Sequence, residues 1–321
     1  MIAMPAYEAI LGRYVSVGRH RIFFEEAGKG IPLLCLHTAG ADSRQWRHVL
    51  NDAEITKRFR VVAFDLPYHG RSNPPQEWWL AKYRLTMKSY LEIIRAVWKT
   101  LELERPVVMG CSMGGAITLK LAADFQDELT GIVGLEATAH APGRYNDFLH
   151  HPAIHGGELC ASYTSGLCAP SSPESAKREN WWYYSQGGPG VYAGDVHYYS
   201  FDWDAREDIK RIDTRKCKVS LLTGEYDYSC TPAMTEAVAA SPSPGSPAKV
   251  VVGAYINDIQ QLDFKTNNYV IDLYVWFRWT KPDIDPSKSM EFMNRYASDD
   301  NRRDELIDTP EEMPDGSLYS I

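Results

Sequence analysis

Five short, mostly apolar runs constrain this chain more than any other feature. They fall at residues 32–36 (PLLCL), 60–65 (RVVAFD), 106–111 (PVVMGC), 131–136 (GIVGLE) and 217–223 (CKVSLLT). A strand with one wet face alternates apolar and polar residues, whereas a continuous apolar run suits a sheet covered on both faces. Between the second and third runs, residues 86–103 place Met87, Tyr90, Leu91, Ile94, Val97, Trp98 and Leu101 at three- and four-residue steps. That spacing gives a helix with one apolar stripe. A second helix is expected to start at Ser112 and run through 116–123. Repeated strand–helix–strand units with crossovers make an α/β fold with a mostly parallel sheet.

Composition narrows the function classes. A formal charge of −8 with no Lys/Arg-rich stripe gives no footprint for a nucleic acid. No stretch of 18 apolar residues is present to span a bilayer, and the opening MIAMPAYEAILGRYVSVG lacks the zones of a signal peptide. The six cysteines have neither metal-ligand nor disulfide-framework spacing, and Cys35, Cys111 and Cys217 lie in strand runs. Reduced core thiols in a cytoplasmic protein, with no metal and no cofactor, are the expectation.

Two segments break the α/β rhythm. Residues 141–211 are dense in aromatics, including Trp181, Trp182, Tyr183, Tyr184, Tyr192, Tyr198, Tyr199, Phe201 and Trp203. We read them as a lid inserted over the active site, between core segments 1–140 and 212–250, with Trp181, Trp182, Tyr183 and Tyr184 as substrate contacts. The bland alternative is an excursion that packs its own small core. SPSPGSPAKV, residues 241–250, is the one strong linker signal. Beyond it, the tail 251–321 is read as β-rich: NYVIDLYVWFRW, residues 268–279, alternates with a period of two, as an antiparallel sandwich strand does. The chain past Pro282 is polar and acidic and receives no assignment.

The chemistry gathers at Gly110-Cys111-Ser112-Met113-Gly114. An apolar strand precedes this GxSxG and a helix follows, the context of a nucleophile elbow. The sharp turn lifts Ser112 out of the sheet edge, and the Met113 N–H at the helix start can hold a developing oxyanion. A second donor is expected from the loop after run 32–36, His37-Thr38-Ala39-Gly40, with the Ala39 N–H favoured and Thr38 as the alternative. His37 is read as shaping that loop.

HTAG (37–40), DLPYHGRS (65–72), GCSMGG (110–115) and LLTGEYDYSCTP (221–232), in this order, resemble the α/β-hydrolase family over residues 20–250 or so. The resemblance implies an α/β-hydrolase sheet, Ser112 as nucleophile and Asp227 as the acid that orients a base. Glu225 has a lower claim, and Glu136 is a substitute acid. Asp65, His69 and Arg71 take a loop-shaping role. The implied substrate is a small ester or related acyl compound, with carbon–carbon bond hydrolysis still open and self-association into a homo-oligomer allowed.

The implied base is absent from its place. The family order is serine, acid, histidine, and the last sheet strand is expected near 248–252 with a Gly-His pair after it. The sequence there reads VVVGAYINDIQQ, and all nine histidines (20, 37, 48, 69, 140, 150, 151, 155, 197) precede Asp227. A substitute must come from His150, His151, His155 or His197, or from another subunit. From about Val251 onward, VVGAYINDIQQLD, NYVIDLYVWFRW and DGSLY resemble the opening of the extracellular β-sandwich of pentameric ligand-gated ion channels. Three readings follow. One is a serine hydrolase weakened by the lost base. The others are a non-catalytic small-molecule binder on a hydrolase scaffold, and a fusion whose tail serves assembly or ligand sensing.

Overall fold

A computed structural model describes residues 10–151, 154–241, 250–263, 268–279, 286, 310–314 and 317–320. Among the described residues, residues up to 246 carry a seven-stranded sheet. Its strands are β1 (Leu11–Val17), β2 (His20–Gly28), β3 (Ile31–Leu36), β4 (Phe59–Phe64), β5 (Val107–Cys111), β6 (Gly131–Leu135) and β7 (Lys218–Leu222). The order is β1-β2-β4-β3-β5-β6-β7. The five runs singled out in the sequence are β3 to β7, and they pair parallel throughout.

β1 and β2 form an antiparallel hairpin on one edge, turning at Gly18 with φ +56°. The sequence reading assigned them no strands. The opposite edge is β7, whose residues alternate between exposed and half-buried. The expectation that this run is covered on both faces therefore fails: β7 pairs with β6 on one side, whereas β3 and β4 carry four buried residues each.

Helices cover the sheet. After the short α1 (Arg47–Asn51) and α2 (Ala53–Arg58), α3 (Met87–Thr100) follows the predicted stripe, burying Tyr90, Ile94, Val97 and Trp98. Thr86 begins α3 with a capping box, its hydroxyl accepting from the Ser89 N–H while Ser89 Oγ accepts from Thr86. α4 (Met113–Phe125) starts immediately after Ser112 and is buried over nearly its whole surface, as a helix laid centrally on a sheet must be. Residues between β6 and β7 form α5 (Gly156–Leu167), α6 (Glu174–Ser185) and α7 (Val191–Phe201); α8 (Pro232–Ala239) follows β7.

Residues from 247 onward form a separate unit. β8 (Val250–Asp263) and β9 (Asn268–Trp279) pair antiparallel, and β9 matches the predicted sandwich strand residue for residue. β10 (Glu311–Glu312) and β11 (Leu318–Ser320) complete a four-stranded order β10-β11-β9-β8, beyond the point where the sequence carried an assignment. The strand expected to close the hydrolase sheet at 248–252 is thus the start of β8, in a different sheet. Among the described residues no helix is long and apolar enough to cross a membrane.

Candidate active site

Because β3 to β7 are parallel, their carboxyl ends share one edge, and the loops that leave it carry the motif residues. Ser112 occupies the turn between β5 and α4 with φ +52° and ψ −112°, a conformation that costs an L-residue energy and persists only where its surroundings enforce it. The enforcement is visible. Its N–H donates to the Leu135 carbonyl at 2.8 Å, and its own carbonyl accepts from Ala116 at 2.7 Å. A methyl on Gly110 would lie 2.1 Å from the Gly114 carbonyl oxygen, and one on Gly114 2.5 Å from that of Leu36. Glycine at both positions is what lets α4 start so close to β3 and β5.

The loop after β3 comes against this turn. Residues His37 to Gly40 are all buried. The Thr38 N–H donates to Gln45 Oε1 at 2.9 Å, the Gly40 N–H to Asp195 Oδ2 at 2.8 Å, and the Ala41 N–H to the Thr38 carbonyl at 3.3 Å. The Ala39 N–H donates to no described residue. Met113, as the first residue of α4, has no acceptor for its N–H within the helix. Ala39 and Met113 therefore supply two unengaged N–H groups where β3 and β5 end, while the alternative donor Thr38 is occupied.

His37 is held at both ring nitrogens. Nε2 accepts from the Leu66 N–H at 3.2 Å and Nδ1 lies 2.8 Å from the Thr38 carbonyl, so Nδ1 carries the proton. Burial, aided by neighbouring His69, lowers its pKa and keeps it neutral. Its loop-shaping place agrees with its contacts. Asp65 accepts from the Ser43 and Arg71 N–H groups at 2.8 and 2.7 Å, tying the turn at 65–72 to the same loop.

On the acid side, Glu136 and Asp227 approach one another. Glu136 leaves β6 with φ +53°, and its N–H donates to Leu222 at 2.8 Å, so Ser112, Glu136 and Thr223 each stand one residue past their strand in register. Glu136 Oε1 accepts from the Gly224 N–H at 3.0 Å, while Oε2 is buried and, among the described residues, has no partner of good hydrogen-bond geometry, with the Asp227 carboxyl beside the group. Burial pushes the Glu136 carboxyl up to about 7; the Gly224 N–H opposes this and the adjacent Asp227 carboxyl adds to it. Asp227 Oδ1 accepts from the N–H groups of Ser229 and Cys230 at 2.5 and 2.6 Å. Glu225 is exposed.

The aromatic quartet divides. On α6, Tyr184 faces Thr38 and Cys111, and burial raises its pKa. Trp182 and Tyr183 turn the other way, under the guanidinium of Arg47, and Tyr183 donates to Glu179. Trp181 is about half exposed at 48%. Four consecutive helical residues cannot share a face, which the reading from composition ignored. Tyr192 is brought in instead, its ring 2.8 Å from where a Gly40 methyl would stand. Gln45 and Asp195 have no reading from sequence, and Tyr192 is named only among the aromatics of residues 141–211, not as a substrate contact. Burial pushes the Cys111 thiol up to about 12, against a hydrogen bond with Gln45, so it stays protonated.

The histidines named as substitute bases are engaged elsewhere or exposed. His155 caps α5, accepting from the Glu158 N–H at 3.3 Å. His197 packs edge-on against Tyr145 and lines a cavity with Arg84, Leu85 and Met87. His151 is exposed, and the side chain of His150 lies outside the described residues.

A profile of the family described as alpha/beta hydrolase fold matches residues 31–151. The AB hydrolase superfamily protein YisY of Bacillus subtilis is 30% identical over 134 residues, 41% of this chain and 47% of the relative. An uncharacterized protein of Mycobacterium tuberculosis is 32% identical over 113 residues, 35% of this chain and 31% of the relative. The chain thus spans less than half the length of these curated relatives. Among solved structures, the enol-lactonase from Burkholderia xenovorans superposes with TM-score 0.64 at 19% identity, over 72% of this chain and 88% of the enzyme. The chain has the α/β-hydrolase fold, with a small antiparallel sheet after it.

Proposed function

We propose that the chain is a serine hydrolase of carboxylic esters or related acyl compounds, working slowly for want of an imidazole at Ser112. The observation that carries this reading is the strained turn at Ser112 beside two N–H groups, of Ala39 and Met113, that have no acceptor among the described residues. In the reaction Ser112 Oγ adds to the substrate carbonyl as its proton passes to water or a carboxylate at the site, and the oxygen that gains charge is held by those two donors. The C–O bond to the alcohol then breaks, the alcohol oxygen taking up a proton, to leave an acyl-serine. Water adds to it, gives up a proton to the departing Ser112 Oγ, and releases the acid. Preorganised donors of this kind are worth on the order of 10²–10³ in rate each. The enol-lactonase likeness, shared at the level of the fold, is in keeping with an ester bond.

In this reading residues 141–211 are the lid over the pocket, with core segments 1–140 and 212–250 beneath, and Tyr184 and Tyr192 form its inner wall. Asp227 is the acid, idle while no imidazole stands beside it, its Oδ1 meanwhile occupied by the backbone of its own loop. That occupation favours the second reading, a small-molecule binder on a hydrolase scaffold. The tail 251–321 is assigned to the fusion reading, a receptor-like segment joined to the hydrolase.

A fluorophosphonate probe separates the first two readings. Labelling of wild type, abolished in Ser112→Ala, is expected of the hydrolase, with slow turnover of p-nitrophenyl acetate. Absence of labelling after prolonged exposure to excess probe would leave the binder.

A further inference from the structure

Asp195 lies in the middle of α7, in the stretch Val191-Tyr192-Ala193-Gly194-Asp195-Val196, and is fully buried at 0% exposure. A carboxylate removed from water must find donors or lose its charge. This one finds three. Oδ2 accepts from the Gly40 N–H at 2.8 Å and faces His69 Nε2 at 2.8 Å, and Oδ1 accepts from the Tyr83 hydroxyl at 2.9 Å. The second nitrogen of His69 faces the Pro67 carbonyl at 3.0 Å, so both ring nitrogens meet acceptors, an arrangement that favours the protonated ring. Burial works against that charge, but Asp195 outweighs it and raises the pKa of His69.

The same helix has two further close contacts. Gly40 has φ +72°, and a methyl there would strike the Tyr192 ring at 2.8 Å; a methyl on Gly194 would strike the Tyr83 ring at 2.3 Å. So α7 packs on Gly40 through the Tyr192 ring and on Tyr83 through Gly194, and Asp195, which bonds both Gly40 and Tyr83, is the polar tie between these two contacts.

We propose that Asp195 is a positioning residue for the oxyanion loop: by holding the Gly40 N–H it fixes the neighbouring peptide, and with it the direction of the Ala39 N–H. The tie comes from residues 141–211, not from the sheet, so the donor beside Ser112 is set only when α7 is seated. This rests on the proposed role of Ala39. In the complex of tie and loop, Tyr83 and His69 hold the carboxylate, the carboxylate holds Gly40, and no bond is made or broken.

The test compares the full-length chain with Asp195→Ala, Asp195→Asn and Tyr83→Phe by three readouts: hydrogen exchange of the Gly40 amide, kcat and KM for p-nitrophenyl acetate, and thermal melting. Asp195→Ala should speed exchange at Gly40 at least about tenfold. It should lower kcat by about 10- to 100-fold and leave KM within about threefold, the signature of a donor used in the transition state. Asp195→Asn keeps an oxygen for Gly40 and should stay within about fivefold of wild type in both. Tyr83→Phe should fall between them. If Asp195→Ala does not fold, Tyr83→Phe decides: exchange at Gly40 unchanged from wild type in folded Tyr83→Phe overturns the proposal. Gly40 protection as in wild type in folded Asp195→Ala overturns it, as does a loss confined to KM or an Asp195→Asn variant as damaged as Asp195→Ala. Should Ser112 prove unreactive, the hydrolase reading fails while Gly40 exchange still judges the tie.

Discussion

Two loops leave the same edge of the sheet and are built to opposite standards. The loop at 37–41 is buried, and its N–H groups at 38, 40 and 41 have acceptors at Gln45, at the distant Asp195 and at Thr38 of the loop itself, with Ala39 left open among the described residues. The loop at 223–230 is half exposed; Asp227 is satisfied by Ser229 and Cys230, residues of its own turn, and Tyr226 and Tyr228 stand in solvent and bond to each other. The strands beneath differ alike, β3 inside the sheet and β7 on its edge. The half proposed to stabilise charge is over-determined, and the half proposed to move a proton is not. A hydrolase needs both, because a serine hydroxyl is a weak nucleophile until something accepts its proton.

The largest effect should come from completing the weak half. Replacing residues 247–321 with a hydrolase ending that sets a strand beside β7 and a Gly-His loop after it should raise p-nitrophenyl acetate turnover by about 10³-fold or more. In well-studied triads, loss of a member costs about 10⁴- to 10⁶-fold, while the oxyanion hole and binding alone keep roughly 10³–10⁴ over water. Asp227→Asn should then matter in the repaired chain and hardly at all in the original. A repaired, folded chain no faster than wild type would show that the loop at 37–41 is not the competent half this comparison makes it.

Glycine substitutions sharpen the contrast by stability. Gly110→Ala places a methyl 2.1 Å from a backbone oxygen that cannot yield, and should cost about 3 kcal/mol or more in urea unfolding. Gly224→Ala meets its nearest atom, Glu136 Oε1, at 3.5 Å, ordinary contact distance, and should stay within about 0.5 kcal/mol. Comparable losses at both positions would erase the difference in packing.

The same contrast governs what could be read from sequence. β3 to β6 were legible because burial on both faces writes a continuous apolar run, and Ser112 because a glycine-flanked turn between such a run and a helix has one reading. The β1–β2 hairpin was not, since its strands mix charges with apolar residues, as edge strands do. The edge position of β7 was invisible for the reverse reason: Leu221 and Leu222 look like core residues, yet Leu222 is 54% exposed. Trp181 to Tyr184 look like one cluster until helical geometry separates them. Asp195 did carry a signal, a lone acid in an apolar helix. Its partners lie 155, 126 and 112 residues away at Gly40, His69 and Tyr83, and only the folded chain pairs them.

The smallest effect concerns what accepts the Ser112 proton in the chain as it stands. Glu136 stands one residue past Leu135, whose carbonyl binds the Ser112 N–H, and among the described residues its buried Oε2 has no partner of good hydrogen-bond geometry. With its pKa pushed up to about 7, first by burial and then by Asp227, it is protonated in acid and a carboxylate above neutrality. The groups around it are Asp227, the Gly224 N–H and the Cys111 thiol, which stays protonated through this range. Only the carboxylate can take a proton, so residual labelling by the fluorophosphonate should rise by about three- to tenfold as pH passes upward through about 7. Glu136→Gln should flatten that rise. Asp227→Asn removes the like charge and should move the midpoint to lower pH without changing the plateau. The sign on stability is opposite. A carboxyl whose folded pKa lies above its unfolded value stabilises the fold while both states are protonated, and that contribution is lost as pH climbs from the ordinary carboxylate range to about 7. Urea midpoints of wild type should therefore fall across that window relative to Glu136→Gln. A labelling profile through neutrality identical in wild type and Glu136→Gln would assign the residual reactivity of Ser112 to water and the two N–H donors alone.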